Sequence, residues 1–219
     1  MGKLIVIEGL DGSGKNTQTK LLMEYLQKNG EKVKYISFPD YEQPSCALVK
    51  MYLNSEFGKK PDDVNAYAAS SFFSVDRFAS FKKFWQKEYL SDYTILCDRY
   101  TTSNAVYQLC KLPKSNWDEF LNWLFDFEYK KLGLPQPDKV IYLEVPIEVS
   151  QKLLNKRYCG DENQKDLHEA NLNFLKNCQE SADYVAKNQN WARIKCSDGE
   201  NMKPIETIHK EIIASLQDR

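Results

Sequence analysis

The sequence has no excess of charge of one sign and no long apolar run. Its 219 residues carry 30 Lys and Arg against 31 Asp and Glu, which gives a net charge of −1. Proteins that bind nucleic acid through its phosphates are usually basic, so we expect no nucleic-acid partner. No apolar stretch approaches the roughly 20 residues that a membrane helix requires, so we expect no membrane partner either.

Regularly spaced cysteines and clustered histidines are also missing. The six cysteines form no C-x-x-C pair, which argues against a disulfide framework, and the N-terminal residues lack the apolar core of a secretory signal, so we expect a cytoplasmic protein. The two histidines, His168 and His209, lie in polar helical stretches without other metal-binding side chains at suitable spacing, so we expect both on the surface. The 13 Tyr, 11 Phe and 4 Trp are enough for a large core.

Short apolar runs alternate with longer amphipathic segments along the chain. We expect strands at residues 4–7, 33–38, 93–97, 140–143 and 191–196. We expect helices at residues 17–28, 64–90 with one or two breaks, 117–131, 146–156, 168–187 and 204–216. This alternation favours an α/β fold with a five-stranded parallel sheet covered by helices on both faces. The length is that of one domain, residues 1–219. The polar segment 158–165 is either a mobile flap or a solvated loop.

A glycine-rich segment directly follows the first predicted strand. Residues 9–15 read Gly-Leu-Asp-Gly-Ser-Gly-Lys, which fits the phosphate-loop pattern G-x-x-x-x-G-K. In such a loop, backbone N–H groups and the N-terminus of the next helix face phosphate oxygens, and Lys15 reaches the β and γ phosphates. The alternative is an ordinary glycine-rich turn. Asn16 follows the lysine where the pattern has a Ser or Thr that ligates Mg²⁺, so the metal would depend more on phosphates and water.

Four segments, this loop included, carry a resemblance to a known family. They span residues 8–18, 72–77, 98–108 and 142–157, and the third, Asp-Arg-Tyr-Thr-Thr-Ser-Asn-Ala-Val-Tyr-Gln, is the most specific. On these segments the sequence resembles the thymidylate kinase family over most of its length. The resemblance implies a P-loop α/β fold, a short lid near residues 156–166, and transfer of the γ-phosphoryl group of ATP to dTMP with Mg²⁺. It also implies a homodimer, which is common among family members.

The resemblance assigns residues to the binding of ATP and to catalysis. It implies that Arg99 bridges the donor and acceptor phosphates, and that Asp98 holds Mg²⁺ directly or through water, with Asn16 as the other metal residue; the alternative for Asp98 is a helix cap. The implied catalytic residues are Lys15, Asp98, Arg99, Arg157 and Lys165. The implied ATP-binding residues are Gly9, Gly12, Ser13, Gly14, Lys15, Asn16, Thr17 and Arg157.

The resemblance also assigns an acceptor site. It implies that Phe73 stacks on the thymine ring, that Arg77 hydrogen-bonds a thymine carbonyl, and that Asp11 binds the 3′-hydroxyl of the acceptor sugar. The implied dTMP-binding residues are Asp11, Phe38, Tyr41, Phe73, Arg77, Arg99, Ser103, Tyr107 and Gln108. Periodicity alone favours a core aromatic for Phe73 and a surface ion pair for Arg77, with an acid such as Asp76.

Two departures from the family pattern leave the source of positive charge open. Tyr41 stands where many eukaryotic members have an arginine that binds the acceptor phosphate. Positions 10–13 of the phosphate loop hold no basic residue, so the cation at the transferring phosphoryl group is expected from the lid. Arg157 and Lys165 are the main candidates and Lys156 is the third, although Lys165 could equally belong to a solvated loop.

Two other functions stay open on the sequence alone. A kinase for another nucleotide or deoxynucleoside would share the same motifs. The other alternative is a non-catalytic P-loop protein, and the weak metal ligand Asn16 is the residue that supports it. A signalling GTPase would carry an N-K-x-D guanine motif, which this sequence lacks. The aromatic-rich segment 117–127 is expected to pack in the core or to form a dimer surface.

Overall fold

Five parallel strands form the central sheet of the computed structural model, which describes residues 2–161 and 166–217. The strands are β1 Lys3–Glu8, β2 Val33–Ser37, β3 Thr94–Asp98, β4 Lys139–Glu144 and β5 Ala192–Lys195, in the spatial order β2-β3-β1-β4-β5. All five predicted strands are therefore confirmed. A small antiparallel ribbon that the sequence did not predict, β6 Ser197–Asp198 and β7 Asn201–Met202, follows β5.

Nine α-helices occur within the described residues. They are α1 Lys15–Lys28, α2 Ala47–Leu53, α3 Ala66–Ser80, α4 Gln86–Tyr89, α5 Thr101–Tyr107, α6 Trp117–Phe125, α7 Ile147–Arg157, α8 Leu172–Asn188 and α9 Ile205–Ser215. Wider π-helical turns continue α3 at Phe81–Trp85 and α6 at Asp126–Lys131. None of these helices is long and apolar enough to cross a membrane.

The predicted helix at residues 168–187 is wrong at its N-terminal end. Helix α8 begins at Leu172, and the side chain of Asn171 caps it by accepting the N–H of Phe174 at 3.0 Å. Residues 167–170 form a separate turn, in which Asp166 Oδ1 accepts the backbone N–H groups of His168 and Glu169. Asp166 therefore caps a single turn, and the helix begins only after that turn.

Helices cover both faces of the sheet, as predicted. Successive residues of β1 point to opposite faces. Ile5 and Ile7 pack in one apolar cluster with side chains of α1 and α9, whereas Leu4 and Val6 pack in another that contains Trp85. Strands β1 and β3 are buried on both faces. This packing fixes the positions of their carboxyl ends.

The carboxyl ends of three strands meet at one edge of the sheet. Ile7 of β1 is in register with Asp98 of β3, and Asp98 is in register with Ser37 of β2. Open parallel sheets bind ligands outside the carboxyl ends of their strands. The loops that follow these three strands therefore form the wall of the candidate site.

Candidate active site

The loop between β1 and α1 needs glycine at specific positions. A Cβ atom on Gly9 would lie 2.5 Å from Ser13 Oγ and 3.0 Å from the carbonyl oxygen of Leu143. Gly12 has a φ of +77°, and a Cβ there would lie 2.5 Å from the carbonyl oxygen of Ser150 on α7. Gly14, at φ +85°, directly precedes α1. Glycine at positions 9 and 12 therefore lets the loop backbone pack closely against Leu143 and against α7.

Lys15 folds back over this loop. Its Nζ donates to the carbonyl oxygens of Gly9 at 2.9 Å and Leu10 at 3.0 Å, and the side chain is buried. Burial and the nearby Arg99 lower the pKa of Lys15 below its usual value. Two of the three ammonium donors stabilise the loop, which leaves the third for a phosphate oxygen.

A cleft opens over the loop, between the start of α1 and the end of α7. It is called the donor cleft here, because the predicted ATP-binding residues lie along it. Two buried polar atoms at this cleft, Ser13 Oγ and Asp98 Oδ1, have no hydrogen-bond partner in the described residues. Asn16 and Thr17 are exposed on the first turn of α1. The predicted ATP-binding residues all line this cleft except Gly9, whose carbonyl oxygen holds Lys15.

Arg99 lies where the donor cleft meets a second cleft. Its backbone adopts a φ of +64° while its N–H donates to the carbonyl oxygen of Ile7 at 3.1 Å. The guanidinium group hydrogen-bonds Asp11 and lies 3.6 Å from Glu8 Oε1. Burial raises the pKa of Asp11, but Arg99 and Lys15 outweigh burial and lower it to about 2. Asp11 is therefore an acceptor-only carboxylate at neutral pH.

The second cleft, called the acceptor cleft here, brings together every predicted dTMP-binding residue. Asp11, Phe38, Tyr41 and Arg99 line both clefts. Phe73 is half-buried, and its ring meets the ring of Tyr52 edge-on at 6.2 Å. The remaining members that line the acceptor cleft are Arg77, Ser103, Tyr107 and Gln108.

Gln108 and Tyr41 present polar groups to the acceptor cleft. Gln108 is buried, yet neither its amide oxygen nor its amide nitrogen has a hydrogen-bond partner in the described residues. A buried amide of this kind is available to a ligand that offers both a donor and an acceptor. Tyr41 is half-exposed, and burial of its hydroxyl raises its pKa.

Arg77 forms a buried ion pair, so the expectation of a surface pair with Asp76 is wrong. Its Nε and Nη2 donate to the two oxygens of Glu128 at 2.7 and 2.5 Å, and the side chains are only 2% and 0% exposed. Asp76 instead accepts the backbone N–H of Asp40 and the hydroxyl of Ser45. Arg77 Nη1 donates to the carbonyl oxygen of Tyr100 at 3.4 Å.

The structure describes two of the three candidate lid cations, Arg157 and Lys156. Arg157 is the last residue of α7; it is exposed at the donor cleft, with its guanidinium 5.4 Å from the centre of the Tyr158 ring. The Tyr158 hydroxyl donates to Glu169 at 2.9 Å, which connects the end of α7 to the turn before α8. Lys156 is exposed. Lys165 lies outside the described residues.

Sequence reasoning missed two residues beside the acceptor cleft. The sequence did contain a signal for the burial of Glu128. This residue continues the apolar series 117, 121 and 124 at helical spacing, so it lies on the buried face of the helix. His168 had none, and its predicted surface position is wrong: the side chain is only 6% exposed. It is covered by α2, α5 and α8, which are distant in sequence. His209 is half-buried against Tyr25.

Comparisons with known proteins agree with this geometry. The thymidylate kinase of Plasmodium falciparum is 30% identical over 215 residues, which cover 98% of this chain and 90% of that protein. A probable thymidylate kinase of Methanococcus aeolicus is 31% identical over 221 residues, covering 100% of this chain and 98% of that protein. The solved thymidylate kinase of Candida albicans has a TM-score of 0.73 at 24% identity, over 99% of this chain and 91% of that one.

The family model agrees with these individual relatives. The model described as thymidylate kinase matches residues 7–212, which include both clefts and all of the described site residues. The match begins within β1 and ends within α9. The chain therefore belongs to the thymidylate kinase family.

Proposed function

We propose that the chain transfers the γ-phosphoryl group of ATP to dTMP and releases dTDP and ADP. The observation that carries the proposal is the junction of the two clefts, where Asp11 and Arg99 contact both. An arginine at such a junction can bridge the phosphates of two substrates. Membership of the thymidylate kinase family supports ATP and dTMP as those substrates.

The transfer requires charge neutralisation rather than covalent catalysis. An oxygen of the dTMP phosphate bonds to the γ-phosphorus of ATP, and the bond from that phosphorus to the bridging oxygen breaks, so the electron pair stays with ADP. The loop N–H groups and Lys15 bind the donor phosphates, while Arg99 neutralises the phosphates of both substrates. Asp11 holds Arg99 in place and offers an acceptor to the sugar hydroxyl.

Mg²⁺ fits the residues at the end of β3 and the start of α1. Asp98 has one carboxylate oxygen without a partner, and Asn16 is exposed at the same cleft. Residues 2–161 and 166–217 contain no cluster of three metal-binding side chains, as expected where phosphates and water complete the shell. Asp98 and Asn16 would hold the ion, which supplies positive charge to the donor phosphates when bound.

The acceptor cleft suits a thymine ring. Phe73 offers a flat apolar surface, and the amide of Gln108 has both a donor and an acceptor without partners. Thymine offers the complementary pair, a carbonyl oxygen next to a ring N–H. Cytosine has an amino group in place of one carbonyl, so a donor such as Arg77 Nη1 favours thymine over cytosine.

Residues 156–166 are proposed to act as a lid within a single kinase domain, residues 1–219. Arg157 supports this because it lines the donor cleft from the end of α7. A cation there can neutralise charge on the transferring phosphoryl group once both substrates are bound. Lys165 belongs to the same proposal.

The proposed reaction is tested by ADP release with ATP, Mg²⁺ and one of dTMP, dUMP, dCMP, dGMP or UMP. We expect the highest kcat/KM with dTMP, and a lower value with dCMP because of its amino group. A reaction without acceptor is the control for hydrolysis of ATP. Equal ADP release with and without every acceptor would contradict the proposal and favour a nucleotide-binding protein or an ATPase.

A homodimer is proposed from an exposed apolar stripe on α3. Tyr67, Ser71, Val75 and Phe78 lie on one helix face, and Val75 and Phe78 are 42% and 38% exposed. The ring of Tyr67 packs edge-on against Trp123 of α6 at 4.7 Å, which widens the apolar surface. Adjacent exposed apolar side chains of this kind commonly mark an interface.

The double substitution Val75→Asp and Phe78→Asp is expected to give a monomer, because two charges would be buried in the apolar contact. Sedimentation equilibrium should give twice the mass of one chain for the wild type and a single mass for the variant. Leu90→Asp is the matched control, since Leu90 is exposed and lies outside α3, directly after α4. A wild type that sediments as one chain at micromolar concentration would contradict the homodimer.

A cytoplasmic location is proposed from the state of the thiols. All six cysteines are free, and Cys46, Cys97, Cys178 and Cys196 are buried as small apolar side chains. Free buried thiols are typical of proteins that work in a reducing compartment.

A further inference from the structure

His168 is held in the turn that connects the end of α7 to α8. Asp166 Oδ1 accepts its backbone N–H at 2.8 Å, and the N–H of Leu167 donates to the carbonyl oxygen of Leu53 at 3.2 Å. The turn is therefore fixed to the end of α2, and the imidazole ring points into the acceptor cleft wall.

Aromatic rings surround the imidazole. Its ring is nearly parallel to that of Tyr107, with centres 5.4 Å apart and planes 17° apart. Tyr52 meets it edge-on at 5.4 Å, and Phe174 lies at 4.9 Å. These contacts fix the position of the imidazole plane relative to Tyr107.

Hydrogen bonds connect His168 to Lys111 through the hydroxyl group of Tyr52. Lys111 Nζ donates to the Tyr52 hydroxyl oxygen at 2.9 Å and to the carbonyl oxygen of Val64 at 3.0 Å. The Tyr52 hydroxyl and His168 Nε2 are hydrogen-bonded at 2.8 Å, and the carbonyl oxygen of Pro61 lies 3.5 Å from the same hydroxyl. Burial and the nearby Lys111 lower the pKa of His168 to about 3, so the imidazole is neutral at pH 7.

Tyr107 connects this group to the cleft junction. Its hydroxyl donates to Asp11 Oδ2 at 2.8 Å, and Arg99 hydrogen-bonds the other oxygen of the same carboxylate. The Arg99 guanidinium also lies 5.3 Å from the centre of the Tyr107 ring. A displacement of the Tyr107 ring would therefore move its hydroxyl away from Asp11 Oδ2 and leave that carboxylate held by Arg99 alone.

We propose that His168 is a positioning residue of the phosphoryl transfer: Lys111 and Tyr52 hold its neutral imidazole, which fixes the Tyr107 ring and so aligns Asp11 and Arg99. The inference rests on the proposed function. A role for His168 as a proton acceptor is disfavoured, because Nε2 is occupied by Tyr52 and the imidazole is a weak base in this environment.

Two substitutions remove the hydrogen bond and keep a ring in place. His168→Phe retains a flat ring against Tyr107 but has no acceptor, and Tyr52→Phe removes only the hydroxyl between Lys111 and His168. We expect each to lower kcat with dTMP about 10- to 100-fold, because small displacements of reacting groups have effects of that size. The KM for ATP should change by less than about twofold, since neither substitution removes a side chain that lines the donor cleft.

A double-mutant cycle separates positioning from a general effect on the fold. If His168 acts through the Tyr107 hydroxyl, adding His168→Phe to Tyr107→Phe should lower kcat little beyond the loss from Tyr107→Phe alone. A purely structural role would give additive losses and a lower melting temperature for each variant. Additive losses in kcat would therefore overturn the inference.

The chain offers a matched control and a way to tell two failures apart. Tyr25 and His209 form another tyrosine–histidine contact, edge-on at 6.2 Å between α1 and α9. Neither residue lines a cleft, so Tyr25→Phe and His209→Phe should leave kcat unchanged.

A wild type that phosphorylates no acceptor overturns the proposed function, and this inference with it. A wild type that phosphorylates dTMP, with His168→Phe and Tyr52→Phe equally active, overturns the inference alone.

Discussion

Lys15→Ala is expected to lower kcat/KM for phosphoryl transfer by about 10²- to 10³-fold, the effect of losing one preorganised charge donor at a reacting centre. The residue has a double role in the structure. Its ammonium group stabilises the loop through the carbonyl oxygens of Gly9 and Leu10, and its remaining donor is available to the phosphates. Initial rates of ADP release at varied ATP and dTMP measure the loss.

Two comparisons show whether the loss is chemical. Lys20→Ala removes an exposed lysine from the same helix and should leave kcat/KM unchanged. Lys15→Met keeps the aliphatic stem but loses the same two hydrogen bonds, so its melting temperature should be no lower than that of Lys15→Ala while its loss of activity is as large. Wild-type turnover by Lys15→Ala would mean that this loop does not bind the transferring phosphate.

Glu128→Ala is expected to lower the free energy of unfolding by about 3–5 kcal/mol, the usual cost of leaving a buried charge without its partner. The carboxylate accepts hydrogen bonds from Arg77 and from three neutral side chains, those of Ser74, Thr101 and Asn104. All of these groups are buried, so water cannot replace the acceptor. Urea unfolding followed by circular dichroism measures the change.

Replacing both charged partners tests the source of this stability. Arg77→Met combined with Glu128→Ala removes the unpaired charge, so it should recover part of the lost free energy. Recovery stays incomplete because the neighbouring hydroxyl and amide donors still lack an acceptor. Asp92→Asn breaks the exposed pair with Lys32 and should leave the unfolding curve unchanged. A Glu128→Ala protein as stable as the wild type would contradict the buried pair.

Much of the fold could be predicted because the sheet is patterned locally. Each strand is a short apolar run bounded by polar residues, and the phosphate loop is read from consecutive residues. The short helices α2 and α5 were not predicted. Their lengths give few turns over which a periodic pattern can repeat.

The acceptor site was predictable only through family resemblance. Phe73 and Arg77 look like ordinary helical residues, and their position beside Gln108 depends on how α3 packs against α5. His168 gains its surroundings from segments far away in sequence, and burial of this kind leaves no periodic trace in the residue's own neighbourhood. Glu128 does continue the apolar series 117, 121 and 124 at helical spacing, but that spacing does not reveal its partners on α3 and α5.

The contact between Gly12 and α7 makes the helix act as a lever: a small tilt at the contact moves the far end of the helix further. The phosphate loop approaches the helix at Ser150, and Arg157 lies seven residues further on, at the C-terminal end of α7. At 1.5 Å per residue this arm is about 10 Å long, so a tilt of about 10° at Ser150 would carry Arg157 by about 2 Å. A side chain at position 12 would change the resting angle of the lever, and with it the reach of the arginine over the donor phosphates.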